Sequence, residues 1–266
     1  MTWSAAEGSG GPSPDGAPGA PLSARPIALW ATPRSRSTAF LRAMMERGDL
    51  LVVHEPFSGL VEEGAFELAG ERACSMPELL SAMLRQTAEG SRVFFKDTSD
   101  YRYEPLLADS RLHHSVINTF MIRQPRATVA SHFAINPNMT LDQVGFEYLH
   151  TMFESIRQAT GEVPVVIDGD DLVSDPEGMV RAYCNRVGLG FVAESLQWKS
   201  GDQDLWERTG EWHKDVSSST GLADTGHRHR AHPDNDPRLE QWAEHHQPFY
   251  DALHALRLRP EPSRQT

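Results

Sequence analysis

Only two cysteines, Cys74 and Cys184, occur in the 266 residues, far apart and without Cys-x-x-Cys spacing. That excludes a disulfide framework and a cysteine metal site, and the two are read as reduced structural thiols. No apolar run approaches the roughly 20 residues of a membrane span, and the start of the chain lacks the basic and apolar regions of a signal peptide. The expected location is therefore the cytoplasm, with no membrane partner. Cations are outnumbered: 25 Lys and Arg against 37 Asp and Glu give a formal net charge of -12. This opposes binding to nucleic acid, where affinity comes from cationic contacts with phosphates, so any arginine cluster must act locally. Large apolar side chains are nearly missing from residues 1–24, which are rich in Gly, Pro, Ser and Ala and are expected to form a disordered tail.

What is present starts at residues 27 to 41, Ile-Ala-Leu-Trp-Ala-Thr-Pro-Arg-Ser-Arg-Ser-Thr-Ala-Phe-Leu. A short apolar run gives way to a turn crowded with hydroxyls and cations, then to a helix. A strand that stops at Pro33 and resumes as a helix near Ser37 aims backbone N–H groups and the positive helix end at one spot. Arg34, Ser35, Arg36, Ser37 and Thr38 add further donors there, as a phosphate requires. A second site follows residues 115 to 123, which read as a buried strand ending at Arg123. Pro125 suits the first turn of the next helix, and Ser131, about two turns on, can face the same crevice. A fork-shaped cation and a hydroxyl make a second anion site. Two such sites imply a ligand with phosphates at both ends.

From Pro26 onward, strands are expected at 27–31, 50–53, 92–96, 115–122 and 163–167, and helices at 37–47, 76–89, 126–135, 140–160 and 175–187. Trp242, Phe249, Leu253 and Leu256 mark a closing helix. Alternating strands and helices imply one α/β domain over about residues 25–260, with a central, mostly parallel sheet covered by helices on both faces. The ligand then belongs at the carboxyl ends of the strands, where both anion motifs fall.

These motifs resemble the sulfotransferases that use 3'-phosphoadenosine 5'-phosphosulfate (PAPS). In that family a first loop, commonly Tyr-Pro-Lys-Ser-Gly-Thr-Thr, holds the 5'-phosphosulfate, and Thr32 to Thr38 stands in register with it. Arg34 replaces the usual lysine, and Arg36 replaces a glycine. The second motif, Arg-x-Pro-x5-Ser, holds the 3'-phosphate and is matched by Arg123, Pro125 and Ser131. The resemblance covers about residues 26–135 and implies a P-loop-like sulfotransferase fold. It also implies a PAPS co-substrate, no metal, and a small-molecule acceptor in bacterial specialised metabolism. A P-loop kinase or hydrolase would need glycines and a lysine in the first loop, and that loop has neither. A nucleotide-binding module without catalysis is the other rival.

Sulfuryl transfer needs a base for the acceptor's proton and cations for the moving charge. The resemblance makes Glu55, in a Glu-Pro context after the second strand, the base, and puts Lys96 beside Arg34 on the sulfuryl oxygens. The histidine of the family's Lys-Thr-His is absent, since the segment reads Lys96-Asp97-Thr98; Asp97 is the second candidate base. His54 either orients Glu55 or packs at the strand end. Acceptor walls are expected from Phe57, Phe66, Tyr101, Tyr103, His113, His132 and Phe133. A polar segment within residues 201–235 reads as a lid, with Trp212 packing on the ligand and Lys214 near a phosphate. His227, His229 and His232 have the spacing of metal ligands but lack a supporting carboxylate or cysteine, and are read as loop histidines.

Overall fold

The computed structural model describes residues 21–224, 226 and 229–260. Most of the expected tail lies outside these residues, as does His227. The chain runs through β1 (Ile27–Ala31), α1 (Ser37–Glu46), β2 (Leu51–His54) and α2 (Pro56–Glu63). A hairpin of β3 (Phe66–Leu68) and β4 (Glu71–Ala73) leads to α3 (Met76–Ala88) and β5 (Val93–Thr98). Next come α4 (Glu104–Leu107), α5 (Ser110–Ser115), β6 (Ile117–Ile122), α6 (Pro125–Ile135) and α7 (Phe146–Thr160). The chain then forms β7 (Val165–Asp168), α8 (Gly169–Ser174), α9 (Pro176–Val187), α10 (Lys214–Ser218) and α11 (Pro237–Ala255).

Five strands form one parallel sheet in the order β2-β5-β1-β6-β7. All five residues of β1 are buried, because a central parallel strand is covered on both faces. Its side chains alternate. Ala28 and Trp30 join a core with Phe57, Phe95, Phe120 and residues of α3, α7 and α11. Ile27, Leu29 and Ala31 join a second core with Phe40, Phe94, Met121 and residues of α9. The α/β architecture expected from the sequence, a parallel sheet covered by helices on both faces, is thus present, with the antiparallel β3-β4 hairpin as an addition.

Several boundaries differ from the expected ones. The helix expected over 140–160 begins at Phe146, because Gly145 sits at φ 88° and separates it from a 3-10 turn over Asp142–Val144. The strand expected from residue 115 begins at Ile117, because Asp109 caps a helix, α5, through the Arg111 N–H at 3.0 Å. β5 continues beyond the expected 96 to Thr98. Helix α2 was not expected; its Leu60 and Phe57 are buried against the core.

Two glycines set the strands' carboxyl edge. A Cβ on Gly145 would lie 2.5 Å from Ser99 Oγ and 3.2 Å from Pro33 Cδ, and one on Gly169 would lie 2.3 Å from the Ser35 carbonyl oxygen. The starts of α7 and α8 therefore press directly on the loop after β1. Side chains at either position would push that loop out of place.

Candidate active site

The loop after β1 turns into α1 through two residues that L-amino acids adopt reluctantly. Arg34 has φ 64° and Arg36 has φ 72°, a region usually left to glycine. Arginine at the family's glycine position thus still permits the tight turn. Ser35 is wholly buried and its hydroxyl donates to the Thr32 carbonyl at 2.7 Å, so its side chain shapes the loop from within. Ser37 and Thr38 open α1 and line a cavity of about 300 Å³, where the first N–H groups of the helix have no intrahelical acceptors.

Arg34 Nε donates to Ser131 Oγ at 2.9 Å, and its other nitrogens reach the Trp212 carbonyl at 2.5 Å and Asp215 at 3.2 Å. Arg123, at the end of β6, donates to the Arg34 carbonyl at 3.4 Å and to Asp170 at 3.3 Å. Arg36 pairs with Asp170 at 3.1 Å and Asp224 at 3.0 Å. Burial lowers the pKa of Arg34 and of Arg36; Arg123 adds to both shifts, while the aspartates oppose them. Both remain cations, since guanidinium does not deprotonate in proteins. Three guanidiniums this close favour a multiply charged anion.

On the other side of β1, Lys96 of β5 forms an ion pair with Glu55, the residue after β2. Glu55 is itself left-handed, at φ 48°, and its N–H donates to the Lys96 carbonyl at 2.7 Å. Burial pushes the Glu55 pKa up, but Lys96 and then His54 outweigh it, leaving the pKa at about 2. His54 Nε2 lies 3.6 Å from Glu55 Oε1, and the His54 and His213 rings meet edge to face at 4.8 Å. Burial, and next His54, press His213 down to about 2, so it is neutral. The ligand atoms of His54, Glu55 and His213 lie within 4.8 Å of one another, the one metal-type cluster among the described residues. A metal there would share the Glu55 carboxylate with the Lys96 ammonium.

Residues 25–257 match the family model described as a sulfotransferase domain. The chain belongs to the sulfotransferase domain family. Branched-chain-amino-acid aminotransferase-like proteins 2 and 1 of Arabidopsis thaliana are 26% and 27% identical to it over 207 and 209 residues, 74% of this chain in each case. The match spans only 36% of either plant protein. The sulfotransferase domain from the curacin biosynthetic pathway shares the fold, with a TM-score of 0.51 at 15% identity, covering 89% of this chain and 99% of that domain.

In this sulfotransferase the cavity is lined by Arg34, Arg36, Ser37, Thr38, Glu55, Lys96, Tyr101, Arg123, Ser131 and Trp212, all named from the sequence as site residues. Other expected residues lie elsewhere. Phe57 and Tyr103 are fully buried in the core, and Phe66 packs against its edge. Asp97 faces away because side chains alternate along β5, so Lys96 and Thr98 share one face and Asp97 takes the other. There it accepts from the N–H groups of Phe57 at 2.7 Å and Ser58 at 3.3 Å and from the Tyr103 hydroxyl at 2.9 Å, capping α2 across strands. Burial and then Glu55 push Asp97 up to about 7. His132 is buried beneath Trp212, ring to ring at 5.4 Å, and burial and then Arg34 lower it to about 4. Phe133 packs under Arg238, whose guanidinium lies 4.7 Å from its ring centre. His54 is buried in contact with Trp206 and His213. His113 flanks His114 on α5, outside the cavity lining. Lys214 is exposed and does not line the cavity, whereas its neighbours His213 and Asp215 do. His229 lines it and His232 pairs with Asp234 at 3.0 Å.

Sequence reasoning missed His213, Asp100 and Glu62 in the lining. The signal for Asp100 was available: it ends the same Lys-Asp-Thr-Ser-Asp stretch as Lys96. His213 arrives from a distant 3-10 segment, Asp204–Trp212, that no periodicity announced.

Proposed function

We propose that this sulfotransferase moves a sulfuryl group from PAPS to a hydroxyl or amine of a small molecule, in bacterial specialised metabolism and in the cytoplasm. The observation that carries this reading is the junction of the two anion motifs. Arg34 of the first loop donates to Ser131 of the second motif, and Arg123 donates to the backbone of Arg34. One bisphosphorylated nucleotide can therefore engage both. Arg34, Arg36 and the start of α1 take the 5' end, Arg123 and Ser131 take the 3'-phosphate, and Trp212 covers the nucleotide.

Glu55 is the base and Lys96 the charge stabiliser in this reading. The acceptor oxygen or nitrogen forms a bond to sulfur while the bond from sulfur to the bridging phosphate oxygen breaks. The electron pair of that bond stays with 3'-phosphoadenosine 5'-phosphate (PAP), and the acceptor's proton passes to the Glu55 carboxylate. A carboxylate held at about 2 is a weak base. It becomes a better one when Lys96 turns from Glu55 toward the sulfuryl oxygens, because burial then dominates and raises its proton affinity.

Calorimetry tests the nucleotide assignment. PAP should bind far more tightly than adenosine 5'-phosphate or ATP, and Arg123→Ala should weaken PAP by at least about tenfold, since a charged hydrogen bond contributes roughly 1.5–3 kcal/mol. Equal affinities for PAP and adenosine 5'-phosphate would remove the 3'-phosphate site.

A further inference from the structure

The order of the sheet separates charge within the cavity. β1 stands in the middle, with β6 and β7 on one side and β5 and β2 on the other. Ends of β6 and β7 supply Arg123 and Asp170, and the carboxylates beside the guanidiniums are paired: Asp170 with Arg36 and Arg123, Asp215 with Arg34, Asp224 with Arg36. The β2 and β5 side is built differently. Its lining carries Glu55, Asp100 and Glu62 against the single ammonium of Lys96, which Glu55 holds. Glu62 accepts from the Tyr101 hydroxyl. Among the described residues Asp100 forms no ion pair, the Lys96 charge acting on it only as a minor influence, and its Oδ1 is buried without a hydrogen bond.

A buried carboxylate oxygen with no donor is costly. Burial raises the Asp100 pKa to about 6; a hydrogen bond with Thr98 opposes the rise, Glu55 adds to it, and Lys96 opposes it less. Such a surplus repels an anionic acceptor and favours one that brings a cation and N–H donors.

Resting on the PAPS reading above, we propose that the acceptor carries a protonated amine in addition to its nucleophile, and that Asp100, supported by Glu62, binds that ammonium. The nucleotide is thus held on the guanidinium side of β1 and the acceptor's cation on the carboxylate side. Glu55, after β2, and its partner Lys96, on β5, share the carboxylate side with Asp100, so the acceptor's nucleophile is held beside them. Asp100 acts in specificity and takes no proton from the reacting atom.

Calorimetry of the PAP-saturated protein tests this with two matched pairs, tyramine against para-ethylphenol and glucosamine against glucose. In at least one pair the amine should bind about tenfold or more tightly than its neutral counterpart, as a charge-assisted hydrogen bond provides. Asp100→Asn should bring that ratio near unity and leave PAP affinity within about twofold. Should Asp100→Asn fail to fold, the exposed Glu62→Gln should lower the ratio by about threefold, and an unchanged ratio there overturns the proposal. Neutral compounds binding as well as the amines in both pairs, no amine binding in either pair, or a ratio retained in Asp100→Asn also overturns it. The two readings fail separately. PAP binding without amine preference removes only the amine site, whereas amine binding without PAP binding removes only the nucleotide assignment.

Discussion

Glu55→Gln is expected to lower turnover by about a hundredfold or more, the low end for loss of a general base, while PAP affinity stays close to that of the unaltered enzyme. Glutamine keeps the shape and an acceptor oxygen for Lys96 but has no basicity. Single-turnover assays with PAPS check the rate and calorimetry checks the affinity. An active Glu55→Gln enzyme would force the base elsewhere, and Asp97 is poorly placed to replace it, since it caps α2 on the opposite face of β5. The substitution also has a signature in stability. Glu55 has a folded pKa of about 2 against an ordinary 4.5, so its ionised form stabilises the fold above pH 4.5. That contribution fades as pH falls through about 2. The melting-temperature gap between the enzyme and Glu55→Gln should accordingly be widest near neutral pH and close in acid.

Lys96→Ala should act on two observables at once. Turnover should fall by on the order of a hundredfold or more, with PAP affinity changing much less, because contacts to the moving charge strengthen in the transition state. Stability should fall too, by about 3–5 kcal/mol, since removing one member of a buried pair strands the other; Lys96 and Glu55 are 2% and 13% exposed at their side chains. Without Lys96, burial acts on Glu55 with less opposition and its pKa rises. The acid limb of the pH–rate profile should therefore move upward in this variant, and Glu55→Gln added to Lys96→Ala should restore much of the lost stability. Parallel losses of affinity and turnover would show that Lys96 only binds the nucleotide.

Much of this was legible in the chain, because the two anion motifs sit at strand ends and strand ends are marked by apolar runs that stop. Arg34, Ser37, Thr38, Arg123 and Ser131 were readable that way, and they share the cavity lining. Local pattern failed where a side chain's direction depended on register. Phe57 was expected at the acceptor wall and Asp97 as the second candidate base, but Phe57 is turned inward by α2, and Asp97 by the alternation of β5. The sequence of β5 contained enough to see this. Phe94 and Phe95 belong to opposite cores, so Asp97 had to follow Phe95. The late segment resisted prediction for another reason: its Trp206 and Thr209 have non-helical backbone angles inside a 3-10 run, so no period relates Trp212 and His213 to their neighbours. Trp212 was found from the polar composition of its segment and the family resemblance, and His213 was not.

Arg34, Arg36 and Glu55 are three of the four non-glycine residues with positive φ among the described residues. Each such conformation costs on the order of 1–3 kcal/mol, and all three carry side chains to which the proposed mechanism gives a role. Selection for heat resistance alone would favour glycine at these sites, while selection for turnover would hold the arginines and the glutamate in place. On the proposed mechanism, melting temperature and catalytic rate should oppose one another at these three positions. A stabilised version of the enzyme that retains its activity must draw its gains from elsewhere in the chain, such as the exposed Val61 and Val163.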